Sequence, residues 1–444
     1  MDFYEIKKPN LNKVKKKETL FRFFNEKNLN INVFLEKTFD PYIAWEKFQY
    51  KQSISKNYSK EELWQIIKYY RSLRYLKTPI RTEKKENFLW LKLPKLEKFL
   101  YNIDFYIKKE SLNSKFQDKH SKKVLIQRGV MEEAIASSQL EGASTSRRIA
   151  KQFLEEGRNP KDESEQMILN NYIAMQSIEE EYQKQDLSLD LLLELHNIIT
   201  KDTLTFEGEL PRLRKDQDEV YVTDKGSGII YHAAPNISFV KEELKKLINF
   251  ANDKEDLYFM HPVIKAIMLH FWVAYLHPFT DGNGRMARLL FYWYLLRKKY
   301  WIFTYLPISK VIKKSPVQYT MAYVYSEQDD HDLTYFIDYH IKKIEQALND
   351  LEIFLAKEHD KELVLNKISK SKYDLGERQI RLLQFLNENS GERTSIIRYM
   401  NVFQVTNKTA IRDLKILLDY GFLERKRQGK TFYYYITDKF QELF

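Results

Sequence analysis

Two apolar runs joined by a short glycine-containing loop constrain the fold of this chain more than any other feature. The runs cover residues 262–276 and 286–299, and residues 277–288 read His-Pro-Phe-Thr-Asp-Gly-Asn-Gly-Arg-Met-Ala-Arg. Each run is long enough for one helix, and the residues between them are polar or turn-forming. The sequence therefore predicts two helices whose junction gathers polar side chains at one place.

The glycines and arginines of this junction suit the binding of a phosphate chain. Gly282 and Gly284 let the backbone approach a phosphate closely and adopt positive φ. The helix that begins near Arg285 directs free N–H groups and its dipole at the same place. Arg285 and Arg288 lie three residues apart, so both guanidinium groups can reach phosphate oxygens from one helix face.

Three further residues of the junction add a metal ligand, an amide and a base. Asp281 is an oxygen ligand of the kind that Mg²⁺ prefers. Asn283 can donate to, or accept from, a phosphate or a ribose. His277 is expected to titrate near neutrality and to take a proton from a hydroxyl that attacks phosphorus. Each residue alone is commonly structural, but together they predict a nucleotide-dependent catalytic site.

Composition excludes several classes of protein. The 444 residues predict two or three domains, and the low counts of 12 Gly and 11 Pro favour a mostly helical fold. The absence of Cys excludes disulfides, thiolate metal sites and thiol catalysis. The first residues lack the apolar core of a signal peptide, and the longest apolar run is too short for a membrane span. We expect a soluble cytoplasmic protein with no membrane partner.

The pattern of apolar residues divides the chain into regions. Residues 1–115 predict an N-terminal helical region, with a helix near 61–75 that Ser59 and Glu62 cap and a second amphipathic stretch at 88–106. Residues 220–232 contain two β-prone runs around a turn and predict a β-hairpin. Further helices are predicted at 124–139, 165–181, 190–200 and 237–252. A charged stretch follows at 341–368, and residues 351–375 are predicted as a connecting helix and linker.

Residues 376–444 show the order helix, short helix, helix, hairpin, which predicts a winged helix-turn-helix domain. Basic side chains on its second long helix and wing suit DNA phosphates, and the net charge of +11 is compatible with that partner. Such modules also mediate dimerisation or hold protein targets, and Lys-rich surfaces occur throughout this chain. The candidate DNA contacts are Lys408, Arg412, Lys415 and Arg427.

Residues 277–288 match the signature of the Fic-domain family at every fixed position. The run from His261 to Ala266 resembles the start of the helix that leads into the family motif. The hairpin at 220–232, followed by Pro235, resembles the flap that holds the target segment. The resemblance implies a mainly α fold with a Fic-type helical core over residues 116–350. The flap residues that it indicates are Gly228, Ile229, Ile230 and Tyr231.

The resemblance also implies AMP transfer from ATP to a Ser, Thr or Tyr hydroxyl of a protein, which can be the chain itself. His277 would be the general base, and Asp281 would hold Mg²⁺. Arg288 would bind the γ-phosphate. The remaining phosphate-cradle residues would be Gly282, Asn283, Gly284 and Arg285. Family members that use ATP as a kinase does tend to carry Lys in place of Gly284, so this chain favours AMP transfer.

A second segment, residues 137–142, matches the inhibitory motif of the family. Its fixed positions here are Ser137, Glu141 and Gly142. By resemblance, Glu141 would pair with Arg288 and compete with the γ-phosphate, so that ATP binds weakly or misaligned. Because in-line attack depends on positioning, the enzyme would rest in a restrained state.

The sequence leaves other readings open. Glu141 could instead orient water for removal of AMP from a modified target, and another nucleotide monophosphate could be the transferred group. In a different class of function, the chain would be a DNA-binding regulator whose Fic site senses nucleotide, although the presence of both His277 and Asp281 favours an enzyme. Tyr319 and Tyr323 lie where contacts to the base could come from, and helix packing explains them equally well. The sequence does not identify the target protein, and it leaves open whether the chain forms a homodimer.

Overall fold

The computed structural model describes residues 2–25, 36–51, 57–108, 119–203, 212–224, 226–255, 257–369, 373–389, 391–429 and 431–443. Helices dominate these ranges and the strands are short, which confirms the mainly α fold class. None of the helices in these ranges combines the length and the apolar character that crossing a bilayer requires.

The N-terminal region contains a β-hairpin as well as helices, so the helical prediction for residues 88–106 was wrong at its start. The elements here are α1 (Lys16–Asn25), α2 (Trp45–Phe48), α3 (Lys60–Ser72), β1 (Leu76–Arg81), β2 (Asn87–Trp90) and α4 (Pro94–Lys108). Ser59 and Glu62 form the predicted capping box of α3. Phe88 and Trp90 are buried on one face of β2, which is the period of a strand, and α4 begins only at Pro94. Residues 109–115 of the predicted region lie outside the described residues.

The central unit surrounds two helices that are buried on all sides. Its elements are α5 (Lys119–Leu140), α6 (Arg147–Glu156), α7 (Glu163–Glu180), α8 (Leu189–Thr200), β3 (Tyr221–Thr223), β4 (Ile230–Ala233), α9 (Ile237–Ala251), α10 (Pro262–Leu276) and α11 (Asn283–Arg297). The two buried helices, α10 and α11, carry apolar residues all round, including the fully buried Trp272 and Trp293. Their polar junction is therefore held at the edge of the main core.

The end of the central unit supplies one wall of the candidate site. Its elements are α12 (Ile308–Ile312), α13 (Pro316–Gln328) and α14 (Thr334–Ser369). The last of these is one continuous helix, so the proposed boundary at residue 350 falls inside it.

The C-terminal region has its own apolar core and packs against the central unit. Its elements are α15 (Glu377–Glu388), α16 (Ile396–Phe403), α17 (Asn407–Asp419), β5 (Leu423–Gln428) and β6 (Thr431–Ile436). Leu383 and Leu414 lie in this second core. Arg398 Nε on α16 donates to Glu155 Oε2 on α6 at 2.9 Å, and Asn401 bonds the Glu155 carbonyl. The order of elements is the predicted one, and its assignment as a winged helix-turn-helix stays a prediction.

Candidate active site

The junction of α10 and α11 is a turn closed by hydrogen bonds. His277 ends α10 in the left-handed region with φ of 43°, and Gly282 precedes α11 with φ of 80°. The Asn283 amide closes the turn, because its Oδ1 accepts from Phe279 N at 3.0 Å and its Nδ2 donates to Phe279 O at 2.8 Å. Both ends of the amide bond Phe279 here, and its contact with a phosphate or ribose stays a prediction. The Asn283 N–H, in the first turn of α11, is still of the kind that binds anions.

Two residues distant in sequence support this turn. His196 on α8 bonds the Asp281 carbonyl through Nε2 at 2.9 Å and stacks on Phe279 at 3.8 Å between ring centroids. Arg214 donates from Nε to the His277 carbonyl at 2.7 Å, and its backbone N–H donates to the Pro278 carbonyl at 2.9 Å. Sequence reasoning missed both, because neither belongs to a local pattern that marks it.

His277 is held as a neutral imidazole. Its Nδ1 bonds the Ala274 carbonyl, which can only accept, so Nδ1 carries the ring proton and Nε2 presents a lone pair. Burial and the repulsion of His232 lower the pKa of His277 to about 4. The prediction of titration near neutrality was therefore wrong, and the free Nε2 is available as a proton acceptor at neutral pH.

The neighbour responsible for this repulsion is His232 on β4. Its ring lies 5.6 Å from the His277 ring, between centroids. Its Nδ1 bonds the Glu327 carboxylate at 2.8 Å and its Nε2 bonds the Tyr275 carbonyl at 2.9 Å. Although burial alone would lower the pKa of His232, these acceptors raise it. The two imidazoles are thus driven to opposite protonation states.

Arg288 is buried and hydrogen-bonded to α5. Nε donates to Ser137 Oγ at 2.8 Å, and Nη2 donates both to the Ser137 carbonyl at 2.9 Å and to Glu141 Oε1 at 2.8 Å. Burial would raise the pKa of Glu141, but Arg288 holds it below its ordinary value. Glu141 is therefore a carboxylate at neutral pH.

The Glu141 carboxylate also lies directly against the start of α11. A Cβ placed on Gly284 would come within 2.2 Å of Glu141 Oε1. The carboxylate is thus an anion at a helix N-terminus, where a phosphate would otherwise be favoured. Gly142 follows with φ of 117°, a conformation that favours glycine and turns the chain away from α5.

Arg285 takes partners on another side of the site. Nη1 donates to the Ile199 carbonyl at 2.6 Å, Nη2 donates to Asp281 Oδ2 at 3.0 Å, and the side chain is 1% exposed. The two guanidinium groups thus have different partners in this structure, and their joint binding of a phosphate stays a prediction. Arg285 fixes the loop to the end of α8, while Arg288 bonds α5.

Asp281 is the carboxylate of the junction that could offer a metal ligand. Its side chain is 55% exposed, and one oxygen accepts from Arg285. Within the described residues, no group of three His, Asp or Glu side chains is arranged around a common metal position. A single exposed carboxylate fits Mg²⁺ that is otherwise held by phosphates and water, which is the usual mode for this ion.

A pocket of about 160 Å³ opens beside His277, Gly284 and Arg288. The β3–β4 hairpin contributes Val222 and Tyr231, and α13 contributes the opposite wall. The residues of that wall are Tyr319, Thr320, Tyr323, Val324 and Glu327. Tyr319 and Tyr323, noted from the sequence, bond each other through their hydroxyl groups at 3.1 Å.

The other predicted residues occupy the hairpin and the C-terminal region. Gly228 has φ of 71° in the hairpin turn, Ile230 is buried, and Tyr231 faces the pocket. Ile229 lies between Gly228 and Ile230, and its carbonyl accepts a hydrogen bond from Asp224 N. The four candidate DNA contacts are all exposed: Lys408, Arg412, Lys415 and Arg427.

Comparison with known proteins identifies the domain that carries this site. The Fic/DOC family model matches residues 186–295. The protein adenylyltransferase Fic of Nematostella vectensis is 34% identical over 116 residues, which are 26% of this chain and 24% of that protein. The protein adenylyltransferase fic-1 of Caenorhabditis elegans is 35% identical over 105 residues, 24% of this chain and 18% of that protein.

A longer match, to the protein adenylyltransferase Fic of Drosophila melanogaster, is 25% identical over 233 residues, 52% of this chain and 42% of that protein. The chain thus spans less than half the length of each of these curated relatives. Among solved structures, a Fic family protein from Desulfovibrio desulfuricans G20 aligns over 77% of this chain and 95% of its own, with 17% identity and a TM-score of 0.49. The family match, on residues that include the junction, shows that this chain contains a Fic domain.

Proposed function

We propose that this protein transfers AMP from ATP to a Ser, Thr or Tyr hydroxyl of a protein, and that Glu141 restrains the reaction. The name protein adenylyltransferase, borne by relatives that match about a quarter of this chain, supports the reaction class. The observation that carries the proposal is the neutral His277 imidazole beside the N-terminus of α11 and the buried Arg288. A base next to an anion site is what transfer of a phosphate-containing group requires.

The chemistry follows from the protonation state of His277. The attacking hydroxyl oxygen bonds to the α-phosphorus, the bond from that phosphorus to the α–β bridging oxygen breaks, and pyrophosphate leaves. The hydroxyl proton passes to Nε2 of His277, whose lone pair is free because Nδ1 donates to Ala274. The backbone N–H groups at the start of α11, next to Gly284, hold phosphate oxygens. Mg²⁺, when bound, would neutralise phosphate charge, and Asp281 is the carboxylate that would hold it.

The restraint follows from the partners of Arg288. Its Nη2 already donates to Glu141, so a γ-phosphate has to displace that carboxylate to use the same donor. Glu141 also fills the space above Gly284 through which the phosphate chain must pass. Both the charge and the position of Glu141 therefore oppose productive ATP binding.

The C-terminal region supports a second proposal, that it binds DNA. The supporting observation is that Lys408, Arg412 and Lys415 on α17 and Arg427 on β5 are exposed. Cations spaced along one helix and an adjacent strand suit contacts to successive phosphates.

The Glu141→Gly variant tests the proposed transfer. Incubated with ATP and Mg²⁺, it should acquire AMP on a Ser, Thr or Tyr of its own chain, detected by mass spectrometry, at a higher rate than the wild type. Adding His277→Ala in the same background should abolish this labelling. Equal rates for the wild type and Glu141→Gly would refute the restraint by Glu141. Undiminished labelling in the double variant would refute the role of His277 as the base.

A further inference from the structure

The outer edge of β4 is already hydrogen-bonded to a segment from the beginning of the described chain. Ile230 N donates to the Asp2 carbonyl at 2.9 Å, and Tyr4 N donates to the Ile230 carbonyl at 2.8 Å. The bridge between Phe3 and Ile230 is parallel. Residues 2–6, called the strap below, thus form a parallel β-bridge with the hairpin that borders the active-site pocket.

A glutamine side chain extends this pairing beyond β4. Gln328, at the end of α13, donates from Nε2 to the Tyr4 carbonyl at 2.8 Å and accepts at Oε1 from Ile6 N at 2.9 Å. One amide therefore satisfies a C=O and an N–H of the strap, as a neighbouring strand would. Lys7 N continues the series by donating to Glu46 Oε1 at 2.9 Å.

Backbone groups, more than side chains, hold the strap on the hairpin. Phe3 is 54% exposed, so its ring contributes little buried apolar area. The Tyr4 ring stands 5.3 Å from that of Tyr231, which lines the pocket, and Ile6 is the buried side chain of the strap. Hydrogen bonding through the main chain is compatible with many sequences, which is the property of an edge that accepts extended peptides.

We propose that the strap is an intramolecular competitor that leaves the hairpin before an extended segment of a protein target pairs there. The inference rests on the proposed function, which supplies the segment that the strap competes with: a target chain that brings a hydroxyl to His277. The edge at Ile230 has one N–H and one C=O, and the strap uses both, so two strands cannot occupy it together. Because Tyr231 and His232 of the same strand line the pocket, a chain paired at this edge lies next to the reacting groups.

Two substitutions of Tyr4 separate the contribution of its backbone N–H from that of its side chain. Tyr4→Pro removes the N–H that bonds Ile230, whereas Tyr4→Ala removes the ring and keeps that N–H. The probe is a fluorescein-labelled synthetic peptide with the sequence of residues 2–8, added in trans to the full chain and followed by anisotropy. We expect it to bind Tyr4→Pro about tenfold or more tighter than the wild type, because the tethered strap otherwise holds the edge at a high effective concentration. Tyr4→Ala should bind it as the wild type does.

Hydrogen exchange provides the second readout. The amide of Ile230 should exchange faster in Tyr4→Pro than in Tyr4→Ala, since the strap shields that amide. Equal peptide binding by Tyr4→Pro and the wild type, no binding by either, or identical behaviour of the two Tyr4 variants would overturn the proposal. Neither readout needs nucleotide, so failure here leaves AMP transfer untouched, and absence of AMP transfer in Glu141→Gly leaves the strap untouched.

Discussion

Replacing Glu141 with Gln separates the charge of this side chain from its bulk. The glutamine keeps nearly the same volume against Gly284 but no longer offers a carboxylate to Arg288. A hydrogen bond between charged groups contributes about 1.5–3 kcal/mol. Because the Glu141 side chain is 30% exposed, solvent screening reduces this to about 1–2 kcal/mol. At about 1.4 kcal/mol for each factor of ten, the γ-phosphate should gain roughly five- to thirtyfold in its competition for Arg288.

The assay is the initial rate of AMP incorporation at ATP concentrations below saturation. Glu141→Gln should exceed the wild-type rate by that factor, and Glu141→Gly should exceed Glu141→Gln, because glycine also clears the space beside Gly284. The matched control is Glu156→Gln, which removes a carboxylate that bonds Gln152 outside the pocket and should leave the rate unchanged. A Glu141→Gln rate equal to the wild type, with Glu141→Gly active, would refute competition by charge and leave bulk as the restraint.

Two further outcomes follow from the structure. The kcat/KM of the Glu141→Gly variant should stay level from about pH 8 to about pH 6 and fall only as pH approaches the His277 pKa of about 4, since protonation removes the proton acceptor. His232→Asn should move this fall to higher pH. A fall near the ordinary histidine pKa of about 6.5 in the Glu141→Gly variant would contradict the assignment. In gel shifts of the full chain with duplex DNA, Lys408→Ala and Arg412→Ala should each reduce the slope of log affinity against log salt by about 0.9, and unchanged slopes would exclude them as phosphate contacts.

Much of the fold was predictable because its signals are local. Helical periodicity, a capping box at Ser59 and a turn between two β-prone runs each depend on neighbouring residues, and the structure contains all three elements. The prediction was wrong for residues 88–93, where a short apolar run suits a helix or a strand equally. Residues 87–90 form a strand because they pair with β1 and bury Phe88 and Trp90 on one face.

At the junction, the sequence by itself determined which chemical groups come together, because His277, Asp281 and Arg288 lie within one turn and one helix start. Apart from Glu141, which the family resemblance indicated for Arg288, it could not determine most of their partners, since many of these lie far away in sequence and only packing brings them to the loop. Only the tertiary structure tied Arg285 to Ile199 and Asp281, and placed His232 beside His277 so that the pKa of the base falls.

The same reason explains Glu141 and the strap. A motif on α5 indicated a carboxylate of interest, but its contact with Gly284 depends on how α5 crosses the start of α11. Nothing in residues 2–6 indicates a strand, and their pairing with Ile230 depends on the position of a hairpin more than two hundred residues later. Local sequence sets the identity of each group, whereas long-range packing sets its protonation state, its hydrogen-bond partners and its access to solvent.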